Sequence, residues 1–272
     1  MTEADNFFSY DNVYYFMFWK DKIVFLTGAS SGIGSEMALQ ISRKGAVLGL
    51  LARRREELEK LQTEIENAGG KARIFAVDVT DKDGVHAAAK SLREEFGKID
   101  VMIANAGIGG GAVHAKDIKS EDFAQVVNVN LIGAVNAITA VLPDMIAKNS
   151  GQLVAIASLA GFRGLPKSAS YCSSKAAMIA LFESVRLDLL RTNIDVTIVS
   201  PGFIKTPLTA GREAQMPFLL ELDVATSKMI RAIEKRQKFY AFPWQLASFV
   251  RLGTIFPAWL YDKIAGSRSY RE

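Results

Sequence analysis

The chain has 272 residues and a mass of 29.7 kDa, with 49% hydrophobic and 23% charged residues, which suits one large globular domain. Its net charge of +4 is small and spread along the chain. The sequence contains neither the residue spacing of a zinc site nor a helix-turn-helix signal. The sequence therefore argues against nucleic acid as a partner and against a metal site. Its single cysteine, Cys172, excludes an internal disulfide, so the fold does not depend on an oxidising compartment and a cytoplasmic location is expected.

The first twenty residues are aromatic rather than leucine-rich. The apolar run 13–19 is too short to cross a bilayer, and the segment lacks the basic start and cleavage site of a signal peptide. We predict that residues 1–20 form an N-terminal extension, packed as an arm on the body of the protein or on a partner. Met17 is a second candidate for the initiating methionine.

From residue 22 onwards, apolar segments of strand length alternate with amphipathic segments of helical length. The strand-like segments are 22–27, 46–52, 73–77, 101–104, 153–157 and 196–199. The helical segments lie near 33–44, 55–68, 81–97, 122–148 and 171–191. Because the strands are apolar on both faces, both must be covered by helices. The pattern predicts an α/β fold over residues 21–240: one Rossmann-type, doubly wound parallel sheet of about seven strands.

The first strand runs into a glycine-rich turn, Thr27-Gly28-Ala29-Ser30-Ser31-Gly32-Ile33-Gly34, and then into a helix. A strand, a glycine turn and a helix N-terminus together favour an anion, because backbone N–H groups and the helix dipole point towards it. The spacing is G-x-x-x-G-x-G, and no Walker lysine follows. We predict that a phosphate is bound by Gly28, Ser30, Ser31, Gly32, Ile33 and Gly34.

Three consecutive arginines, Arg53, Arg54 and Arg55, follow the second strand, where a Rossmann-type unit meets the adenosine ribose. An acidic residue there would bind the 2′-hydroxyl of NAD, whereas arginine accommodates the 2′-phosphate of NADP. The sequence therefore predicts NADP(H) in preference to NAD(H), with Arg53 facing the cofactor. The alternative is a basic helix start that pairs with the glutamates after it.

The ends of the third and fourth strands add residues to the same edge of the sheet. Asp78 and Val79 follow the third strand, where an aspartate can accept a hydrogen bond from the adenine amino group. Asn105, Ala106 and Gly107 follow the fourth, and such small residues allow close approach of a ring or a ribose. Taken alone, each segment is also an ordinary strand-ending turn.

Tyr171 and Lys175 stand four residues apart in a predicted helix, so their side chains share one face. An ammonium beside a phenol favours the phenolate. The Y-x-x-x-K spacing alone is common in helices, so its meaning depends on the residues around it.

In order and spacing, these segments resemble the classical short-chain dehydrogenase/reductase family over about residues 21–240. The matching positions are Thr27–Gly34, Asp78, Val79, Asn105, Ala106, Gly107, Asn130, Ser158, Tyr171, Lys175, Pro201 and Gly202. The resemblance implies an oxidoreductase that interconverts a carbonyl and an alcohol by hydride transfer with a nicotinamide cofactor. It also implies a homodimer or homotetramer, for which the helices at 122–148 and 171–191 are the expected interface.

The resemblance gives four residues a catalytic role. Tyr171 would be the general acid or base, and Lys175 would stabilise the phenolate and hold the ribose hydroxyls. Ser158 would hydrogen-bond the substrate oxygen, and Asn130 would anchor a proton-relay water behind the lysine. Tyr171 would also contact the cofactor. Further contacts to the nicotinamide end would come from Pro201, Gly202, Ile204 and Thr206, with Thr206 near the phosphates and the carboxamide.

Apolar side chains near these positions suggest a hydrophobic substrate. Met216 and Phe218 lie in the segment after Thr206, which we expect to close over the substrate, and Phe162 follows Ser158. We therefore expect a small hydrophobic carbonyl or alcohol, bound by Ser158, Tyr171, Phe162, Met216 and Phe218. The alternative is that the apolar residues pack into the core.

Residues 241–272 form an apolar, aromatic C-terminal extension. Its prolines and charged residues make it an implausible single membrane span. Three interpretations stay open: contact with a neighbouring subunit, an extension of the substrate cleft, or an interfacial helix that makes the protein peripheral to a membrane. A non-catalytic dinucleotide sensor or a membrane-associated scaffold on the same fold is the alternative to an enzyme.

Overall fold

Seven parallel strands form one sheet in the order β3-β2-β1-β4-β5-β6-β7. The computed structural model describes residues 17–211 and 213–266. The strands are β1 (Ile23–Thr27), β2 (Val47–Ala52), β3 (Lys71–Ala76), β4 (Val101–Ala104), β5 (Gly151–Ile156), β6 (Ile194–Pro201) and β7 (Phe239–Phe242). The strand order reverses between β1 and β4, so a ligand crevice is expected beyond their carboxyl ends. The predicted doubly wound sheet is confirmed.

Helices cover both faces of this sheet. They are α1 (Gly32–Ser42), α2 (Arg55–Asn67), α3 (Lys82–Phe96), α4 (Ser120–Val127), α5 (Gly133–Ala147), α6 (Ala169–Asp188), α7 (Leu222–Glu234), α8 (Trp244–Ile255) and α9 (Ala258–Ala265). Most predicted elements differ from these by one to three residues at an end. β7 was not identified individually, because its four residues merge into the aromatic run that follows, and it extends past the predicted boundary at residue 240.

The apolar core has two layers, one on each side of the sheet. Val24 and Leu26 of β1 belong to the layer that includes α1, α2 and α7, whereas Ile23 and Phe25 belong to the layer that includes α3, α5 and α6. Successive strand residues point to opposite faces, so a strand buried on both sides must be apolar throughout. This explains the continuous apolar runs of the sequence.

The folded body begins before the predicted boundary at residue 21. Trp19 is fully buried in the first core layer, and its Nε1–H donates to Glu234 Oε1 at 2.8 Å. Lys44 Nζ donates to the same oxygen at 2.5 Å. Residues 17–20 therefore pack on the body, whereas residues 1–16 of the predicted arm, together with the choice between Met1 and Met17, lie outside the described residues.

The predicted helix at 122–148 contains an irregular turn. α4 ends at Val127, a π-helical turn spans Asn128–Ile132, and α5 continues from Gly133. Such turns interrupt α-helices mostly at functional sites. Within the described part of the chain, Ser120–Ala147 is the one helical stretch long and apolar enough to cross a membrane, and half of its apolar window is buried in the protein, as in a core helix.

Candidate active site

Close packing shapes the turn between β1 and α1. Gly28 has a φ of +70°, and a Cβ there would lie 2.6 Å from the Cα of Ala106. A Cβ on Gly34 would lie 2.2 Å from the carbonyl oxygen of Gly28, so only glycine lets α1 start against the turn. Ser31 precedes α1 without making a side-chain cap, which leaves the first N–H groups of the helix open to an anion.

Asn105 braces this turn from the neighbouring strand. Its Nδ2 donates to the carbonyl oxygens of Thr27 and Gly28, both at 3.1 Å, and its backbone N–H donates to Thr27 Oγ1 at 3.1 Å. The amide group of Asn105 is therefore used to hold the turn in place. Its direct contact with a cofactor stays a prediction.

The three arginines after β2 have different partners. The guanidinium of Arg54 donates to Ser30 Oγ at 3.0 Å and to Ser31 Oγ at 2.6 Å. Arg53 lies 3.7 Å from the carboxylate of Asp78. Both guanidinium groups therefore stand at the glycine-rich turn (Gly28–Gly34, called the phosphate turn below for its predicted ligand) or beside it. The sequence predicted that at least Arg53 faces the cofactor, and that contact stays a prediction.

Arg55 and Asp78 flank the pair of arginines formed by Arg53 and Arg54. Arg55 turns away and pairs with Glu59 at 3.6 Å, as expected of a basic helix start. Asp78 Oδ1 accepts from the backbone N–H and the hydroxyl of Thr80 at 2.9 and 2.8 Å. The carboxylate of Asp78 thus both closes its own turn and holds Arg53. Val79 beside it is buried, and a Cβ on Gly133 would contact it.

Lys175 is buried beside the tyrosine ring. Only 4% of Lys175 is exposed; its Nζ donates to the carbonyl oxygen of Ile156 at 2.8 Å and lies 5.9 Å from the ring centroid of Tyr171. Burial lowers the pKa of Lys175 from 10.5 to about 8. A Cβ on Gly107 would lie 3.6 Å from Nζ, so the glycine leaves space beside the ammonium for a ligand hydroxyl.

Asn130 lies in the π-helical turn and is completely buried. Its Oδ1 accepts from Ile108 N–H at 2.7 Å, and its Nδ2 donates to Ile108 O and to Ser174 Oγ, both at 3.0 Å. Ser174 Oγ in turn donates to the backbone carbonyl of Tyr171 at 2.8 Å. The side chain of Asn130 therefore joins the loop after β4 to the first turn of α6. Sequence reasoning missed Ser174, whose only signal was its place beside Lys175.

Ser158 and Tyr171 are carried by adjacent elements. Ser158 caps the short helical turn Leu159–Gly161, and its Oγ accepts from the N–H of Ala160 at 3.1 Å, which leaves the hydroxyl proton free for another acceptor. A Cβ on Gly161 would lie 2.8 Å from the backbone of Lys175, so this turn rests directly on α6. Tyr171 lies in the first turn of α6 and is half-buried, within reach of a ligand.

Residues 22–217 match the family model described as short chain dehydrogenase. The chain belongs to the short-chain dehydrogenase/reductase family. An uncharacterized oxidoreductase of Myxococcus xanthus is 39% identical over 240 residues, which cover 88% of this chain and 94% of the relative. The 3-oxoacyl-(acyl-carrier-protein) reductase FabG of Thermotoga maritima is 36% identical over 188 residues, covering 69% and 76% of the two chains.

Two solved structures have the same fold. Levodione reductase superimposes with a TM-score of 0.77 and covers 85% of this chain and 99% of its own, at 22% identity. A metagenomic short-chain oxidoreductase in complex with NADP superimposes with a TM-score of 0.71 and covers 82% and 96%, at 28% identity. The first of these supports the fold alone.

In this short-chain dehydrogenase/reductase, Thr206 and Ile204 of the loop after β6 point in different directions. The side chain of Thr206 lies 3.7 Å from the position that a Cβ of Gly32 would occupy, so Thr206 faces the phosphate turn. Ile204 is buried in the core and pairs with Leu220 through an isolated bridge. Thr206 therefore lies close enough to the phosphate turn for the predicted contact with a bound phosphate. The side chain of Ile204 is buried, so only its backbone could contact a cofactor.

The predicted substrate-binding side chains have different environments. The ring of Phe162 packs edge-on against Phe239 at 5.8 Å, and the guanidinium of Arg251 lies 5.8 Å from its centroid. Met216 is buried, whereas Phe218 is 52% exposed. Phe162 and Met216 therefore contribute to packing. Phe218 has the most apolar area open to a ligand of the three, and all three substrate contacts stay predictions.

Proposed function

We propose that the protein is an NADP(H)-dependent oxidoreductase that interconverts a carbonyl and an alcohol on a small hydrophobic substrate, with Tyr171 as general acid or base. The observation that carries this proposal is the buried ammonium of Lys175 beside the Tyr171 ring, at the sheet edge that also bears the phosphate turn. A lysine is rarely buried without a partner charge. Its position is explained if a ligand hydroxyl and a phenolate complete its surroundings.

The residues present fit a dinucleotide. The turn at Gly28–Gly34 would hold the pyrophosphate, Arg53 and Arg54 would hold a 2′-phosphate, and Lys175 would hold the ribose hydroxyls. When bound, the nicotinamide supplies or accepts the hydride. Two guanidinium groups suit a dianionic phosphate, and the NADP complex of the 28% identical relative supports the preference for NADP(H) over NAD(H).

The protein groups would handle the proton and the oxygen charge. In the reductive direction, Tyr171 gives its hydroxyl proton to the substrate oxygen as that oxygen gains negative charge. Ser158 donates its free hydroxyl proton as a hydrogen bond to the same oxygen, and the ammonium of Lys175 stabilises the phenolate left on Tyr171. Asn130 acts by holding Ile108 and the first turn of α6 at fixed positions.

A second copy of the chain is the proposed partner in solution. α5, α6 and the turn that follows α6 expose large apolar side chains on the side of the sheet away from α1 and α7. These are Ile146, Leu187 and Leu190, at 52%, 56% and 61% exposure. Exposed apolar residues clustered on neighbouring helices are typical of a subunit interface. We therefore propose a homodimer or homotetramer built on these helices.

The test is oxidation of NADPH with a panel of hydrophobic ketones and aldehydes. We expect turnover with at least one of them, and a loss of about 10²–10⁴-fold in kcat for Tyr171→Phe. NADPH affinity, measured by fluorescence titration, should be unchanged in that variant. Full activity of Tyr171→Phe would refute the mechanism. No turnover by either protein, with intact NADPH binding, would favour the non-catalytic dinucleotide sensor.

A further inference from the structure

The C-terminal helices present an apolar face to solvent. Trp244, Phe249, Leu252, Ile255 and Trp259, here called the C-terminal face, are between 51% and 77% exposed. Monomeric proteins rarely expose contiguous apolar patches larger than a few hundred Å², and each of these five large side chains has more than half of its surface open to solvent. Such a patch is expected to be covered by a partner.

The pattern along α8 is that of an amphipathic helix whose outer face carries one charged residue, Arg251. The exposed positions are Trp244, Gln245, Ser248, Phe249, Arg251, Leu252, Thr254 and Ile255. The opposite side, with Ala247 and Gly253, is buried against the protein. α8 has twelve residues, too few to cross a bilayer, so any lipid contact would be parallel to the membrane plane.

Three observations favour a phospholipid surface over a second copy of the chain. Tryptophans stand near both ends of the face, and their amphipathic rings suit the boundary between headgroups and acyl chains. Between residues 244 and 266 the chain carries two basic residues, Arg251 and Lys263, and one acidic residue, Asp262, which gives attraction to anionic headgroups. The apolar residues of α5 and α6 already provide a separate face for a second copy.

The C-terminal face is physically joined to the catalytic loop. Arg163, five residues after Ser158, donates from Nη1 to Phe256 O at 3.1 Å and also to Gly253 O. Its guanidinium lies 3.8 Å from the ring centroid of Tyr261, whose hydroxyl donates to Gly164 O at 2.5 Å. These contacts tie both C-terminal helices to the loop that links Ser158 to Tyr171.

We propose that the C-terminal face docks on a phospholipid bilayer, so that the catalytic loop lies next to the membrane and a hydrophobic substrate enters from the lipid. The statement about the substrate rests on the proposed function. The docking itself does not, since it follows from α8, α9 and their exposed side chains.

Vesicle flotation with the full chain tests the docking. Vesicles of phosphatidylcholine, with and without phosphatidylglycerol, are mixed with wild type, with Ile255→Glu and with the matched control Val224→Glu on α7, where Val224 is 45% exposed. We expect wild type and Val224→Glu to float with the vesicles, more strongly when phosphatidylglycerol is present. Ile255→Glu should lose at least about tenfold in partitioning, because it places a charge in the centre of the apolar face.

Tryptophan fluorescence gives a second readout. The chain has three tryptophans, of which Trp19 is fully buried and Trp244 and Trp259 are exposed. Vesicles should shift the emission of wild type to the blue, and the shift should be lost when Trp244 and Trp259 are both replaced by phenylalanine.

The proposal is overturned if wild type does not float with either vesicle, or if Ile255→Glu floats as well as wild type. A lower molecular mass of Ile255→Glu in sedimentation velocity, without flotation of either protein, would assign the face to a second copy. NADPH oxidation with a water-soluble ketone, measured without vesicles, reports on the proposed function separately.

Discussion

Replacement of Lys175 by methionine should remove activity and yet stabilise the apo-protein. Burial lowers the pKa of Lys175 from 10.5 to about 8. At about 1.36 kcal/mol per pH unit, keeping the ammonium in place costs the folded state about 3 kcal/mol at pH 7. Methionine fills a similar volume without charge, but it leaves the carbonyl of Ile156 without its donor, at a cost of about 1–2 kcal/mol. The net gain is about 1–2 kcal/mol, or a rise in Tm of about 2–6 °C.

The pH dependence identifies the cause of this gain. Below pH 8 Lys175 is protonated in both the folded and the unfolded states, so the folded state bears the full free-energy cost of burying its ammonium. Between about pH 8 and 10.5 the unfolded chain binds more protons than the folded protein, so wild-type stability rises with pH in this window. Lys175→Met lacks this titration, and its advantage should therefore shrink from pH 8 upwards and reverse near pH 10, where only the lost hydrogen bond remains.

Thermal unfolding of the apo-proteins at several pH values between 7 and 10, followed by circular dichroism, measures this difference. Lys90→Met is the matched control, because Lys90 is 69% exposed and its i,i+4 pair with Glu94 contributes at most about 0.5 kcal/mol. The reasoning fails if Lys175→Met melts below wild type at pH 7, or if the difference between them does not change with pH. NADPH must be absent, since a ligand of the folded state adds its own stabilisation.

Three further outcomes are expected. Arg54→Ala should weaken NADPH binding by about 10–100-fold and NADH binding by less than about threefold. Arg55→Ala is the control and should leave the affinity for both cofactors unchanged. Equal losses for both cofactors in Arg54→Ala would contradict the role of Arg54 at a 2′-phosphate. Arg163→Met should lower kcat/KM for the ketone with little change in NADPH affinity, and Arg163→Lys should recover part of the lost kcat/KM. A wild-type kcat/KM in Arg163→Met would show that the contact of Arg163 with the Tyr261 ring does not position the loop between Ser158 and Tyr171. Trp19→Phe should lower the free energy of unfolding by about 1–3 kcal/mol in urea titrations, because it leaves a buried carboxylate with one donor fewer; an unchanged midpoint would argue against that bond.

The sheet could be predicted because burial on both faces makes nearly every residue of an inner strand apolar. A strand covered on both sides is apolar at nearly every position. β1 and β5 meet this requirement except at Thr27 and Gln152, whose buried side chains are hydrogen-bonded to Ile103 O and Thr197 Oγ1. β7 escaped identification because it is an edge strand only partly buried, and its aromatic residues continue without a break into α8. The burial of Trp19 also left no local signal, since its partner Glu234 lies 215 residues away.

The residues of the site could be predicted better than their contacts. Tyr171 and Lys175 share a helix face by spacing alone, and the structure places the ammonium beside the ring. Which arginine reaches the phosphate turn depends on backbone angles after β2 that spacing does not reveal. The contact of Arg54 with both serines was therefore not predicted, and the predicted contact of Arg53 with the cofactor stays a prediction. The π-helical turn around Asn130 was missed for a similar reason, because its residues fit an ordinary helical pattern.

The C-terminal region was predicted as an extension with three possible roles, one of them an extension of the substrate cleft, and its contacts join it to the loops of the candidate site. Gly202 donates its backbone N–H to Phe242 O at 2.7 Å, and a Cβ at Gly202 would come within 2.9 Å of Leu246, so the loop after β6 and the start of α8 pack together. Arg163 joins the end of α8 to the other loop of the site. Both loops of the candidate site are therefore held by helices whose outer face is largely apolar. If the C-terminal face docks on a bilayer as proposed, a movement of α8 would act on these loops, so docking should change substrate turnover as well as location.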